Sequence, residues 1–281
     1  DFFSIANGVQ GGLIVVSEVG DTKVKFENMD LGLSPVSVDE KSIFLVGENP
    51  LTGGDSTLFL SRLDKESLTL DWIKEYSVSV QATINSEVQQ IEDKIYILNS
   101  NNAGTDMVNQ REIMLVKTDE EGVLQDTYFY NRDKRTTAGF QMLESGDNQV
   151  ILSNIFSNKD EVTGVYSQVL KVSQEGEIIW NYEGTERLDN GAVPTWAIEL
   201  SDGRILQTYY VDRRSDVDFI VNNWFPEPNK FIWLSAEGDW IQDKYLLTDK
   251  SDFLFYYGLK RGQEDYFYAY GYVESLAPDP G

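Results

Sequence analysis

One hairpin pattern recurs along this chain and limits the folds open to it more than any other feature. An apolar run, a short polar turn ending in Gly or Ser, and a second apolar run appear at Ile113-Met114-Leu115-Val116 with Asp119-Glu120-Glu121-Gly122. The same unit returns at Val169-Leu170-Lys171-Val172 with Ser173-Gln174-Glu175-Gly176, and at Phe231-Ile232-Trp233-Leu234 with Ser235-Ala236-Glu237-Gly238. A fourth copy is Leu58-Phe59-Leu60 with Asp64-Lys65-Glu66-Ser67. An Asp or Ser at the first turn position bonds the backbone ahead of it, and a Gly at the fourth accepts positive φ. The turns close at Ser67, Gly122, Gly176 and Gly238, which are 55, 54 and 62 residues apart. That period suits a propeller with four strands in each blade.

A second set of turns lies between these hairpins: Asp39-Glu40-Lys41, Glu92-Asp93-Lys94, Ser145-Gly146-Asp147-Asn148, Ser201-Asp202-Gly203 and Gly262-Gln263-Glu264-Asp265. Each precedes an apolar run, at 42–46, 95–98, 150–152, 204–207 and 266–270. Five hairpins of this second type are followed by only four of the first, and the missing one lies at 13–26, around Ser17-Glu18-Val19-Gly20. The expected fold is therefore all-β, a five-bladed β-propeller whose last blade is closed by the N-terminal hairpin. It is expected to be a single domain over 1–281, with a half blade at 12–27, blades at about 34–76, 87–130, 139–183 and 195–247, and a half blade at 255–271. Closing the ring removes two open sheet edges.

The best repeat, Lys171-Val172-Ser173-Gln174-Glu175-Gly176-Glu177-Ile178-Ile179-Trp180, and in part the stretch 117–123, resembles the repeats of bacterial exported β-propellers of the quinoprotein-like (PQQ-like) kind. In those, an apolar strand, Lys-x-Asp/Ser, two polar residues and Gly lead into a second apolar strand and an aromatic. The resemblance implies an architecture and carries no function.

Composition excludes several chemistries. The 281 residues contain no cysteine and no histidine. Disulfides, thiol nucleophiles, imidazole bases and Ser-His-Asp triads are thereby ruled out. Forty-seven acidic residues against 23 basic ones leave a formal net charge of −24. Such a surface repels phosphate backbones, so no nucleic-acid partner is expected. No apolar run reaches the ~18 residues that read as a membrane-spanning helix, so no membrane insertion is expected either. The acidity, the missing cysteines and a start at Asp1 suit a bacterial secreted, periplasmic or cell-surface chain. A monomer is expected, with no cofactor, calcium being the one ion that the acids would admit.

Strand direction places the long connections 47–57, 99–112, 154–167 and 209–230 on one face, where binding commonly lives. The last of these holds Arg213, Arg214, Asp216, Asp218, Trp224 and Phe225, a mixture able to grip a sugar or a peptide. Asp216-x-Asp218 is not a complete calcium loop, because the following Asp, Gly and Glu are missing. A second candidate is the mouth of the channel, at the starts of the inner strands, with Glu87, Trp196, Tyr256 and Tyr257. Asp30, Asp133, Asp189, Asp249 and Asp252 lie in the connections that lead there. The expectation from the sequence is a non-catalytic exported ligand- or protein-binding propeller, with a glycan or a protein as partner. The alternatives are a carbohydrate-active hydrolase using channel carboxylates, or a structural domain of a larger surface protein.

Overall fold

In the computed structural model every described regular element is a β-strand. Residues 1, 7–10, 17–21, 30–31, 39–40, 51–55, 68, 81–86, 103–110, 132–133, 159–165, 186–195, 211–228, 247–251, 262–266 and 276–281 lie outside the described residues. The chain divides into two compact units, 1–132 and 133–281.

The first unit opens with a three-stranded antiparallel sheet of β1 (Phe2–Ala6), β2 (Gly11–Val16) and β3 (Thr22–Met29), in that order. Two four-stranded antiparallel meanders follow. One is β4 (Gly32–Val38), β5 (Ser42–Pro50), β6 (Ser56–Asp64) and β7 (Leu70–Val80). The other is β8 (Glu87–Ile91), β9 (Lys94–Asn102), β10 (Arg111–Asp119) and β11 (Leu124–Tyr130). The second unit holds two more: β12 (Lys134–Glu144), β13 (Val150–Asn158), β14 (Tyr166–Val172) and β15 (Ile178–Glu183), then β16 (Trp196–Glu199), β17 (Ile205–Tyr210), β18 (Asn229–Leu234) and β19 (Trp240–Leu246). It ends with the pair β20 (Asp252–Arg261) and β21 (Phe267–Ser275).

β1 is not part of the sequence expectation. It pairs with β2 from Phe2 opposite Val16 to Ala6 opposite Gly12. Asn7-Gly8, a strong hairpin dipeptide, stands in the connection and was the available signal.

The middle strands carry continuous apolar runs because they are covered on both faces. Phe44, Leu58, Leu60 and Tyr76 of one meander pack with Val88, Ile95, Ile97, Met114 and Val116 of the next. In the second unit Ile151, Ile155 and Val169 pack with Ala197, Ile205, Ile232 and Leu234. Each such Leu, Ile or Val contributes about 1.5–3 kcal/mol of burial.

Two irregularities repeat. The inner strands bulge at Pro35 in β4, Phe140 in β12 and Tyr257 in β20, where the ladder register steps past one residue. A bulge suits Pro35, which has no N–H to offer the ladder. The outer strands bulge near their starts, at Asp71 in β7, Gln125 in β11, Ile179 in β15 and Ile241 in β19.

An aromatic side chain of an outer strand lies over the turn glycine of the following meander. Trp72 covers Gly122, where a Cβ would fall 2.7 Å from the ring, and Trp180 covers Gly238 at 2.6 Å. Trp180 Nε1 also donates to the Ala236 carbonyl at 3.0 Å, and the Tyr76 hydroxyl donates to the Gly122 carbonyl at 2.8 Å. Gly122 and Gly238 have φ of +73° and +87°, so glycine is required there for its conformation as well as its size.

Candidate functional site

Glu87, Gln141 and Trp196 hold the same place in the repeat, four residues before the buried Ile91, Ser145 and Leu200 that enter the inner turns. Glu87 begins β8, half-buried, in register with Leu98. Trp196 begins β16 and packs against the cluster of Ile198, Leu200, Leu206, Phe231 and Leu259. Its indole Nε1 is buried without a hydrogen-bond acceptor among the described residues. The ring is thus committed largely to the core.

Tyr256 and Tyr257 lie on β20, where Tyr256 pairs with Gly271 and the ladder steps past Tyr257. Arg213, Arg214, Asp216, Asp218, Trp224 and Phe225 lie outside the described residues, as do Asp30, Asp133, Asp189 and Asp249.

One open cleft of about 370 Å³ lies between inner strands β12 and β16, lined by Gln141, Glu144, Ser145, Asn148, Ile198 and Glu199 among others. The sequence marks Ser145 and Asn148 only as turn residues, and nothing in it singles out Gln141, Glu144, Ile198 or Glu199. The Ser145 hydroxyl donates to Glu199 Oε1 at 2.8 Å, and the Gly146 N–H donates to Glu199 Oε2. The Ala197 N–H donates to Gln141 Oε1, a bond between the two inner strands that no ladder supplies. Both carboxylate oxygens of Glu199 therefore brace the neighbouring turn, which suits a structural strut better than a reacting acid. Beside this turn Lys171 Nζ donates to Asp147 Oδ2 at 2.9 Å. Burial raises the Asp147 pKa, and the hydrogen bonds from Lys171 and Ser145 with the Lys171 charge together more than reverse that, leaving the carboxyl below its ordinary value. Among the described residues no group of three or more Asp, Glu, His or Cys is placed to hold a metal ion.

A buried polar row was also overlooked. Asn99, Ser153 and Gln207 are each fully buried, 54 residues apart, directly after Ile97-Leu98, Ile151-Leu152 and Ile205-Leu206. Gln207 Nε2 donates to Ser153 Oγ and to the Gln168 carbonyl, both at 3.2 Å. The signal was a polar residue ending each apolar run at the repeat period.

No family model and no curated protein sequence matches the chain. Solved structures do match in fold. An α-L-arabinofuranosidase from Fusarium graminearum, in complex with an iminosugar inhibitor, is 9% identical and aligns over 91% of this chain and 77% of its own, with a TM-score of 0.52. A subtype N10 neuraminidase-like protein from the A/little yellow-shouldered bat/Guatemala isolate is 10% identical over 90% and 82%, with a TM-score of 0.52. A polysaccharide lyase, an ulvan lyase, is 11% identical over 87% and 68%, with a TM-score of 0.50.

These neighbours support a β-propeller. They lend nothing to the quinoprotein-like resemblance beyond that architecture. They also correct the functional expectation. The two that are enzymes by name act on carbohydrates, which overturns the non-catalytic ligand- or protein-binding propeller in favour of its carbohydrate-active alternative.

Proposed function

We propose that this chain is a carbohydrate-active enzyme that cleaves glycosidic bonds with side-chain carboxylates. The observation that carries the reading is the likeness of fold, over about nine-tenths of the chain, to an arabinofuranosidase and an ulvan lyase. Composition supports the choice of groups. With neither histidine nor cysteine, general acid and base work falls to Asp and Glu, or to Lys and Tyr, whose ordinary pKa values lie at about 10. Hydrolysis by two carboxylates requires them about 5–9.5 Å apart across the scissile bond.

Glu87 is the carboxylate we assign first, because it is an acid at the start of an inner strand and is half-buried. A second carboxylate is required, and Asp30, Asp133, Asp189, Asp249 and Asp252, which the sequence sets on the way to the inner strands, are the candidates for it. Tyr256 and Tyr257, with Arg213, Arg214, Asp216, Asp218, Trp224 and Phe225, are assigned to holding the glycan; Trp196, packed against the core, is left out of that set. We read the finer architecture as one domain of five blades whose last blade is closed by the N-terminal hairpin, with half blades at 12–27 and 255–271. The chain is assigned to an exported, bacterial, periplasmic or cell-surface setting.

Release of reducing ends from a panel of arabinans, galactans and ulvan tests the reading. Wild-type chain should turn over at least one polymer, and Glu87→Gln should lower that rate about 100-fold or more with unchanged circular dichroism. No turnover on any polymer, or an unaffected Glu87→Gln, would sink the assignment.

A further inference from the structure

The large apolar side chains that stand exposed among the described residues share one location. Leu70 and Ile73, Val123 and Leu124, Ile178 and Ile179, and Trp240 and Ile241 all lie at or just before the start of an outer strand. The register makes Leu70, Leu124, Ile178 and Trp240 equivalent, since each pairs across the turn just before the bulge. An aliphatic residue meets the needs of the scaffold in three copies. The fourth carries an indole that is 57% exposed, the most exposed of the eight. Among the described residues its indole has no hydrogen-bond or ring partner.

Its surroundings are specific. Trp180, seated on Gly238, ties the strand that carries Ile178 and Ile179 to the turn that leads into Trp240. Exposed apolar side chains of both meanders thus stand on strands that meet at this joint. Its polar margin is made of acceptors and amides, with Glu177, Asn181, Glu237, Asp239 and Gln242 all exposed. The nearby cations are engaged: Lys230 Nζ lies 2.8 Å from Asp243 Oδ2, and Lys244 sits over the Trp233 ring at 5.9 Å.

We propose that Trp240 is the centre of a glycan-binding platform for a neutral polysaccharide, on the outer edge of the β16–β19 sheet. This rests on the carbohydrate-active reading above. A sugar ring presents an apolar C–H face to an indole and hydroxyl donors to flanking carboxylates and amides. That is the chemistry the platform offers, and tryptophan suits surfaces where one side is apolar and the other wet. The chain's net charge of −24 and the acidic margin repel uronate and sulfate groups, which selects a neutral polymer over an anionic one. The site would hold the enzyme on its substrate at the edge of the sheet opposite β16.

Affinity electrophoresis of the full chain in gels containing arabinan, β-1,3-galactan or ulvan tests this, alongside reducing-end release from the same polymers. The expected result is retardation by at least one neutral polymer and none by ulvan. Trp240→Ala should weaken it tenfold or more, Trp240→Phe should keep part of it, and circular dichroism should be unchanged. Retardation that survives Trp240→Ala overturns the platform and leaves the enzymatic reading standing, as does turnover without retardation. Retardation by ulvan alone overturns the neutral class. Neither retardation nor turnover by the wild type removes both. A wild-type dimer in sedimentation that Trp240→Ala dissociates would overturn the platform by assigning the surface to a second copy of the chain.

Discussion

A methyl group added at Gly238 has no room to sit. It would fall 2.6 Å from the Trp180 ring, on a backbone with φ of +87° that side chains avoid. Gly238→Ala should therefore destabilise the second unit by about 1–3 kcal/mol, read as a lower urea midpoint. Gly146→Ala is the control, since a Cβ there meets only Glu199 Oε2 at an ordinary 3.5 Å. It should change stability by no more than about 0.5 kcal/mol. The turn glycine was legible in the sequence because a polar run ending in Gly after an apolar strand has a local cause. The ring above it was not. Trp180 and Gly238 are 58 residues apart, and nothing local in either says that they meet.

The turns themselves are built with one recurring device. Ser173 Oγ accepts from the N–H groups of Glu175 and Glu177, and Ser235 Oγ from those of Glu237 and Asp239, all at 3.1–3.2 Å. Asp119 Oδ1 does the same for Glu121 at 3.0 Å and Val123 at 2.8 Å. Ser235→Ala should cost about 0.5–1.5 kcal/mol and Ser235→Asp much less, measured by chemical denaturation. These hairpins were readable because each rests on interactions within about five residues. β1 was not legible from the repeat, because the repeating unit has two strands and a strand that precedes it carries no mark of it. The bulges were invisible because a one-residue register step leaves no mark in apolar periodicity. They do mechanical work at the outer edges, where an unpaired strand invites another chain. Deleting Ile179 keeps Trp180 opposite Lys171 and Ile178 opposite Val172 while straightening β15. That variant should self-associate more than the wild type, and light scattering over concentration would show it.

For the molecule as a whole, titration is confined to the ends of the pH scale. No histidine is present, so no side chain of ordinary pKa changes charge between about pH 5 and 8. Asp64 is lowered by the Ser67 backbone N–H, Asp93 by the Lys94 ammonium and Asp202 by the Arg204 backbone N–H. A carboxyl whose folded pKa lies below its unfolded one stabilises the fold above the unfolded value and loses that contribution as pH falls through the folded value. The melting temperature should thus be level from about pH 5.5 to 8 and drop below about pH 4. At pH 8 it should rise by roughly 2–4 °C from low salt to 0.5 M NaCl, as ions screen the repulsion among surplus acids.

The sequence spoke clearly about this global charge and about the repeat. It spoke poorly about the site. Glu199 reads as one acid among 47, and only the fold shows both its oxygens occupied by the neighbouring turn. Trp196 reads as a stacking surface, and only packing shows its ring spent on the core.

The Trp72–Gly122 and Trp180–Gly238 contacts fasten one meander to the next at the outer strands, far along each sheet from the inner strand that bears Glu87, Gln141 or Trp196. In the second unit the same joint is clasped a second time at the first strands, where Ala197 bonds Gln141 and Glu199 takes the Ser145 and Gly146 donors. A joint pinned at two opposite margins behaves like a hinge with both leaves fixed: the two sheets cannot slide along one another without parting one of the clasps.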